Sequence, residues 1–179
     1  MAAVRTFRHV EADLVSIDRL TRHEAQAVQD FAATARSFCL WCEGEDFERT
    51  DAHAASWLAR LYGLGVVLPS VDSDNEDGLP DLPAEVLVRA QTNLAVFNGR
   101  HYREVFDPAP ELDDQPVIGD IGDDLLDTYK DVRRGLMLFD GGEVAEALWQ
   151  WSFLHRVRWG RHCAGALLAL HGLTLSNLD

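Results

Sequence analysis

Apolar residues recur at intervals of three and four along most of the chain, the spacing that gathers them on one face of an α-helix. The first run holds Val28, Phe31, Ala32, Ala35, Phe38, Cys39 and Cys42. Thr21 and Glu24 stand before it at capping-box spacing, where hydroxyl and carboxylate each accept a backbone N–H at the helix start, and Gly44 is the expected stop. A second run, Ala54, Trp57, Leu58, Leu61, Tyr62, Gly65 and Leu68, follows Asp51, a residue suited to capping, and Pro69 closes it. A third helix is expected from Pro83 to Phe97, broken by Asn98-Gly99. A fourth, from Asp120 to Phe139, carries Ile121, Leu125, Tyr129, Val132, Leu136 and Phe139 toward the core. Gly141-Gly142 supplies a tight turn. The last and longest helix runs from Glu143 to about His171, with Gly172 as its stop.

Two polar stretches interrupt this pattern. Residues 69–83 carry three prolines, five acids and no base, so the acidic loop 69–82 is read as solvated and as the segment with least reason to be ordered. After a compact start at Tyr102–Phe106, Pro108, Pro110 and Pro116 impose extended or turn backbone. No segment shows sustained alternation of apolar and polar residues, which argues against a β-rich fold, and no internal repeat is present. The expectation is an all-α protein: an antiparallel bundle of about five helices forming a single domain over residues 21–175. An N-terminal segment, 1–20, precedes it and need not be ordered.

Composition narrows the class. At 179 residues, 47% hydrophobic and 9% aromatic, the chain can bury one real core, which excludes wholesale disorder. Thirty acids against sixteen bases give a formal charge of −14, which repels phosphate backbones and anionic lipid and argues against nucleic acid and membrane surfaces as partners. Thirteen of the acids fall in residues 72–81 and 107–127, stretches without a base, and the remainder is nearly neutral at 17 acids to 16 bases. The first twenty residues interrupt their apolar positions with charge and do not form a secretory signal, and no stretch is long and apolar enough for a membrane span. Three cysteines in a chain of this size fit free thiols in a reducing compartment, hence the cytoplasm.

Three motifs, Tyr102-Arg-Glu-Val-Phe-Asp-Pro108, Asp127-Thr-Tyr-Lys-Asp-Val-Arg-Arg-Gly-Leu136 and Trp159-Gly-Arg-His162, occur together in this chain. With Phe38-Cys-Leu-Trp-Cys-Glu43 and Leu61-Tyr62 they resemble a bacterial family of small helical proteins catalogued as a domain of unknown function. The likeness covers most of residues 25–172. It implies an all-α fold and a bacterial cytoplasmic protein, and it implies no reaction.

The functional question therefore returns to the residues. Cys39-Leu-Trp-Cys42 has the spacing of a redox pair, but it falls at a helix end beside Glu43, Glu45 and Asp46, where negative charge raises a thiol's pKa, so core thiols are favoured over redox or metal use. Asp72–Gly78 lacks the glycine at the sixth and the glutamate at the twelfth position that a calcium loop requires. No Glu-x-x-His pattern supports a di-metal bundle. The pairs Asp124/Asp127 and Glu143/Glu146 have the spacing of magnesium-binding pyrophosphohydrolases, but the turn at 141–142 places them at opposite ends of a helical hairpin, about 20 Å or more apart.

The same hairpin register brings Asp120, Asp124, Asp127 and Asp131 to the height of Cys163, Trp159, Arg156 and Ser152. On a continuous last helix His155, Trp159 and His162 share one face. One reading of this corner is interhelical ion pairing with Arg156, Arg158 and Arg161. Another is a ligand-binding pocket of Tyr102, Asp124, Trp151, His155, Trp159 and His162, in which a carboxylate orients a histidine; a metal held by His155, His162 and an aspartate is the third. No catalytic residue, resident metal or cofactor is assigned. Two functions are carried forward: a non-catalytic interaction or regulatory module, with a protein partner or a homodimer, and a small-molecule- or metal-binding protein or enzyme using the Asp/His/Trp corner. A pocket and a perturbed histidine at that corner are what the second requires.

Overall fold

A computed structural model describes residues 20–72, 80–105 and 115–176. Residues 1–19, the central part of the acidic loop (73–79) and residues 106–114 lie outside the described residues, and with them the expectations for the N-terminal segment and most of Asp72–Gly78. The chain forms a mostly helical single domain: α1 (Arg22–Glu43), α2 (Asp51–Val66), α3 (Ala84–Leu94), strands β1 (His101–Glu104) and β2 (Val117–Asp120), then α4 (Ile121–Asp140), α5 (Val144–Val157) and α6 (Trp159–Ser176). A single 3-10 turn, Ala95–Phe97, extends α3.

α1 opens as its sequence predicts. The Thr21 hydroxyl accepts the Glu24 N–H at 3.2 Å, and the Glu24 carboxylate accepts the Thr21 N–H at 2.7 Å. Its apolar face is buried from Ala27 to Cys42. The far end is closed from α3, where the Asn93 amide donates to the carbonyls of Cys42 and Gly44, both at 2.9 Å, meeting acceptors that the end of a helix leaves without intrahelical partners. In α2 the capping role falls to Thr50, whose hydroxyl accepts the His53 N–H. Asp51, the expected cap, instead grips Arg100 through two bonds of 2.5 Å, joining α2 to the residue before β1. Leu68 and Val71 are buried, so the start of the acidic segment is docked on the core, whereas its charges begin only after it.

α4 is the central element and contacts α1, α3, α5 and α6. Against α1 it runs antiparallel: Tyr129 and Arg133 both donate to Glu43, at 2.8 and 2.9 Å, while Arg36 pairs with Asp140 at the other end. The core between them is aromatic. Phe31 lies 4.9 Å from Trp151 and 5.8 Å from Trp159, centroid to centroid, and Phe38, Trp41, Phe47 and Trp57 form a second cluster.

Two departures from the sequence expectation shape the site. The stretch from Glu143 onward is two helices, because Arg158 adopts φ −146°, ψ −87° between them. Gly160 permits this elbow: a Cβ there would lie 2.1 Å from the His155 carbonyl oxygen, so only glycine lets the start of α6 cross so close over the last turn of α5. The bend swings α6 onto α2 while keeping it on α4, and α6 continues past Gly172 to Ser176. Secondly, the expected compact start at Tyr102 is a strand, paired antiparallel with β2 in the register Tyr102↔Gly119 and Glu104↔Val117.

Cys39, Cys42 and Cys163 are free and buried. Burial raises all three thiol pKa values, that of Cys163 to about 12. Native protein should therefore react with an aromatic disulfide reagent only at the rate of its own opening, with all three thiols labelled promptly in denaturant. Prompt labelling of one thiol per native chain would refute the buried placement.

Candidate functional site

The hairpin lies with one face on the α4–α6 seam, and Tyr102 is its anchor. Because Gly119 opposite has no side chain, the Tyr102 ring lies across it; a Cβ there would be 2.6 Å from the ring. The phenol reaches Asp124 in the first turn of α4, donating to Oδ2 at 2.6 Å. The other oxygen of Asp124 meets Nδ1 of His162, on α6, at 2.7 Å. One carboxylate, 7% exposed, thus ties a strand to two helices.

The electrostatics follow from this geometry. The hydrogen bond to Asp124 raises the His162 pKa, aided by the charges of Asp124 and Asp127 and opposed by burial and Arg158. The contact with Asp124 thus favours the protonated imidazole. Burial, then the bond to Asp124, raises the Tyr102 phenol, which stays a neutral donor. Arg158 at the elbow donates to Asp131 at 3.1 Å, and Arg161 donates to Glu104 at 2.9 Å. Asp131 is 1% exposed, and burial raises its pKa against the opposing pull of Arg158 and Arg134.

Beside this network lies a cleft of about 340 Å³. One wall is the whole of β2, Val117–Asp120. The other is the elbow and the start of α6, with Val157, Arg158, Arg161 and His162, and Asp123 and Asp124 lie between; Glu104 is the sole contribution of β1. Donors therefore line one side and carboxylates the other, under an apolar rim of Val117, Ile118 and Val157.

Of the residues singled out from sequence, Tyr102, Asp124 and His162 come together here, and Asp124 and His162 line the cleft. Trp151 and Trp159 do not line it. Both are fully buried, with Trp151 Nε1 donating to the Val132 carbonyl and Trp159 Nε1 to the Trp151 carbonyl, each at 3.0 Å. His155 points to α2, where its ring sits 5.0 Å from Tyr62 and 4.7 Å from Trp159. Burial, then Arg156, lowers its pKa. The elbow is the reason: it removes the common face that a continuous helix would give His155 and His162. Sequence reading missed β2 as a wall, and Gly119 as the gap that admits Tyr102. Among the described residues no three of His, Cys, Asp and Glu converge as metal ligands would, and no described helix is long and apolar enough to cross a membrane.

Fold and site define a class: a compact, mostly helical domain in which a short β-hairpin is pinned over a polar cleft. The chain belongs to the family known as domain of unknown function DUF5063, whose model matches residues 22–176. Its fold is similar to that of a crystal structure of protein BF1032 from Bacteroides fragilis, with a TM-score of 0.66 and 20% identity over 83% of this chain and 92% of the other. No curated protein matches the chain.

Proposed function

We propose that this protein is a non-catalytic binding module of the bacterial cytoplasm and that the cleft between β2 and the α5–α6 elbow is where it binds. The observation that carries this reading is the Tyr102–Asp124–His162 chain. Both oxygens of Asp124 already accept short bonds, so it is not free to act as a base, and the same contact raises the His162 pKa, which favours the donor form over proton abstraction. Such a network fixes a binding surface in place. The cleft's composition, donors facing carboxylates under an apolar rim, suits a ligand with both polar and apolar parts.

The test is a backbone-amide NMR screen of the full chain against amino acids, dipeptides and short peptides. Hits should cluster on Gly119, Asp123, Arg158 and His162 and weaken in Asp124→Asn. Hits that cluster instead on the groove of Tyr62, Leu167 and Leu168 between α2 and α6, or that survive Asp124→Asn unchanged, would overturn it.

A further inference from the structure

Building on the cleft as the binding site, we infer that its ligand is an extended basic peptide segment of a partner protein, which adds to β2 as a third strand. Among the described residues no strand pairs with the outer edge of β2, and that edge is the cleft wall. Ile121 N–H donates to the Arg100 carbonyl, and these residues extend the register of the strand pair. In an antiparallel ladder hydrogen-bonded pairs alternate with non-bonded ones, so Tyr102↔Gly119 and Glu104↔Val117 bond inward. Ile118 and Asp120 then turn their N–H groups, and Ile118 its C=O, away from β1.

β2 supplies four consecutive cleft residues while β1 supplies Glu104 alone, as expected if the cleft runs along the outer edge of β2. Strand edges in soluble proteins are commonly blunted by shortness, charged side chains, proline or a bulge, and of these β2 has its length of four residues and Asp120 at its end. Val117-Ile-Gly-Asp120 contains no lysine or proline, and Ile118 is 66% exposed. An incoming strand would satisfy the outward groups and cover Ile118, with the Val157 side of the elbow as the facing wall.

Charge selects the peptide. The lining holds Glu104, Asp120, Asp123 and Asp124 against Arg158, Arg161 and His162. Both arginines already donate to carboxylates, Asp124 is used twice, and Asp120 caps α4. Asp123 has no ion-pair partner among the described residues, which leaves the cleft a net acceptor of positive charge on a chain of charge −14. A lysine or arginine side chain near Asp123 fits, whereas an acidic segment would meet repulsion.

The experiment titrates the isotope-labelled full chain with a short, end-capped peptide of alternating lysine and valine. Two controls are the same peptide with alternate amides N-methylated, which cannot pair as a strand, and a version with glutamate for lysine. The Ile118 and Asp120 amide resonances should move with the parent peptide, and affinity should fall about tenfold or more for both controls. Ile118→Pro, a substitution tolerated where an edge N–H faces solvent, should remove the same binding, and Asp123→Lys should reverse the preference between lysine and glutamate versions. Equal binding of the methylated peptide with shifts at Asp123 and His162 would overturn strand addition while leaving the cleft as the site. No shift at any cleft residue with any peptide at about 1 mM would overturn the peptide proposal, and a small-molecule hit in the screen above would show whether the cleft still binds.

Discussion

Replacing Trp151 by alanine should lower the free energy of unfolding by about 3–5 kcal/mol, the range for deleting a large buried aromatic that leaves a cavity behind. Trp151 is fully buried. Its ring packs on Phe31 at 4.9 Å and on Phe139 at 5.6 Å, and its indole N–H is spent on the Val132 carbonyl. Neighbours cannot close the gap cheaply, because Phe31 is also held against Trp159. Trp151→Phe keeps most of the ring and gives up one hydrogen bond and some volume, so it should cost a fraction of that. The reverse error is available at Gly135, where a Cβ would lie 2.1 Å from the Trp151 indole nitrogen. Gly135→Ala should cost about 1–3 kcal/mol by overpacking. Urea unfolding of the three variants measures this order. A loss below about 1 kcal/mol for Trp151→Ala would mean that the aromatic cluster rearranges freely.

The helices and their inward faces can be read from spacing because burial repeats at the helical period, and Thr21 with Glu24 marks the first helix start because capping is local chemistry. Asp124 beside the last helix was likewise accessible from the turn at Gly141-Gly142 and helix geometry alone. What spacing does not carry is tertiary choice. The apolar period from Val144 to Leu170 continues through the elbow, since Trp159 is core on either path, and only Gly160 hints that the chain crosses itself. A continuous helix of that length without internal caps is itself unusual. The strands have four residues each, too few for alternation to stand out, and their pairing spans a proline-rich connection. Asp51 had two uses open to it, a cap or a partner for Arg100, and the sequence offers nothing to choose between them. Of the arginines in the ion-pair reading, Arg158 meets Asp127 and Asp131 of α4 while Arg161 turns to Glu104 of β1, and of the six residues in the pocket reading Asp124 and His162 line the cleft.

Removing the carboxylate at that corner should be the most disruptive single change to the site. Asp124→Ala takes away the acceptor for both Tyr102 and His162. Hydrogen bonds to charged groups contribute about 1.5–3 kcal/mol each; with His162 about one-third exposed, solvent screening reduces its share, so a combined loss of about 2–4 kcal/mol is expected. Asp124→Asn keeps the shape and an acceptor for the phenol but removes the charge, and should cost less. The pH dependence separates the two roles. His162 has a raised folded pKa, so its contribution to stability is fully present below the unfolded value of about 6.5 and is lost as pH rises through the folded value. His155, with a lowered pKa, acts in the opposite sense: its contribution is present above about 6.5 and is lost as pH falls toward its folded value. Whole-protein stability therefore mixes two opposed histidines, and the informative quantity is the difference between wild type and variant. That difference should shrink for Asp124→Asn as pH rises past the folded His162 value, while the His162 ring protons, followed by NMR, should titrate lower in the variant than in wild type. An unchanged His162 titration in Asp124→Asn would show that Asp124 does not hold the proton on the imidazole, and the binding role assigned to the corner would lose its basis.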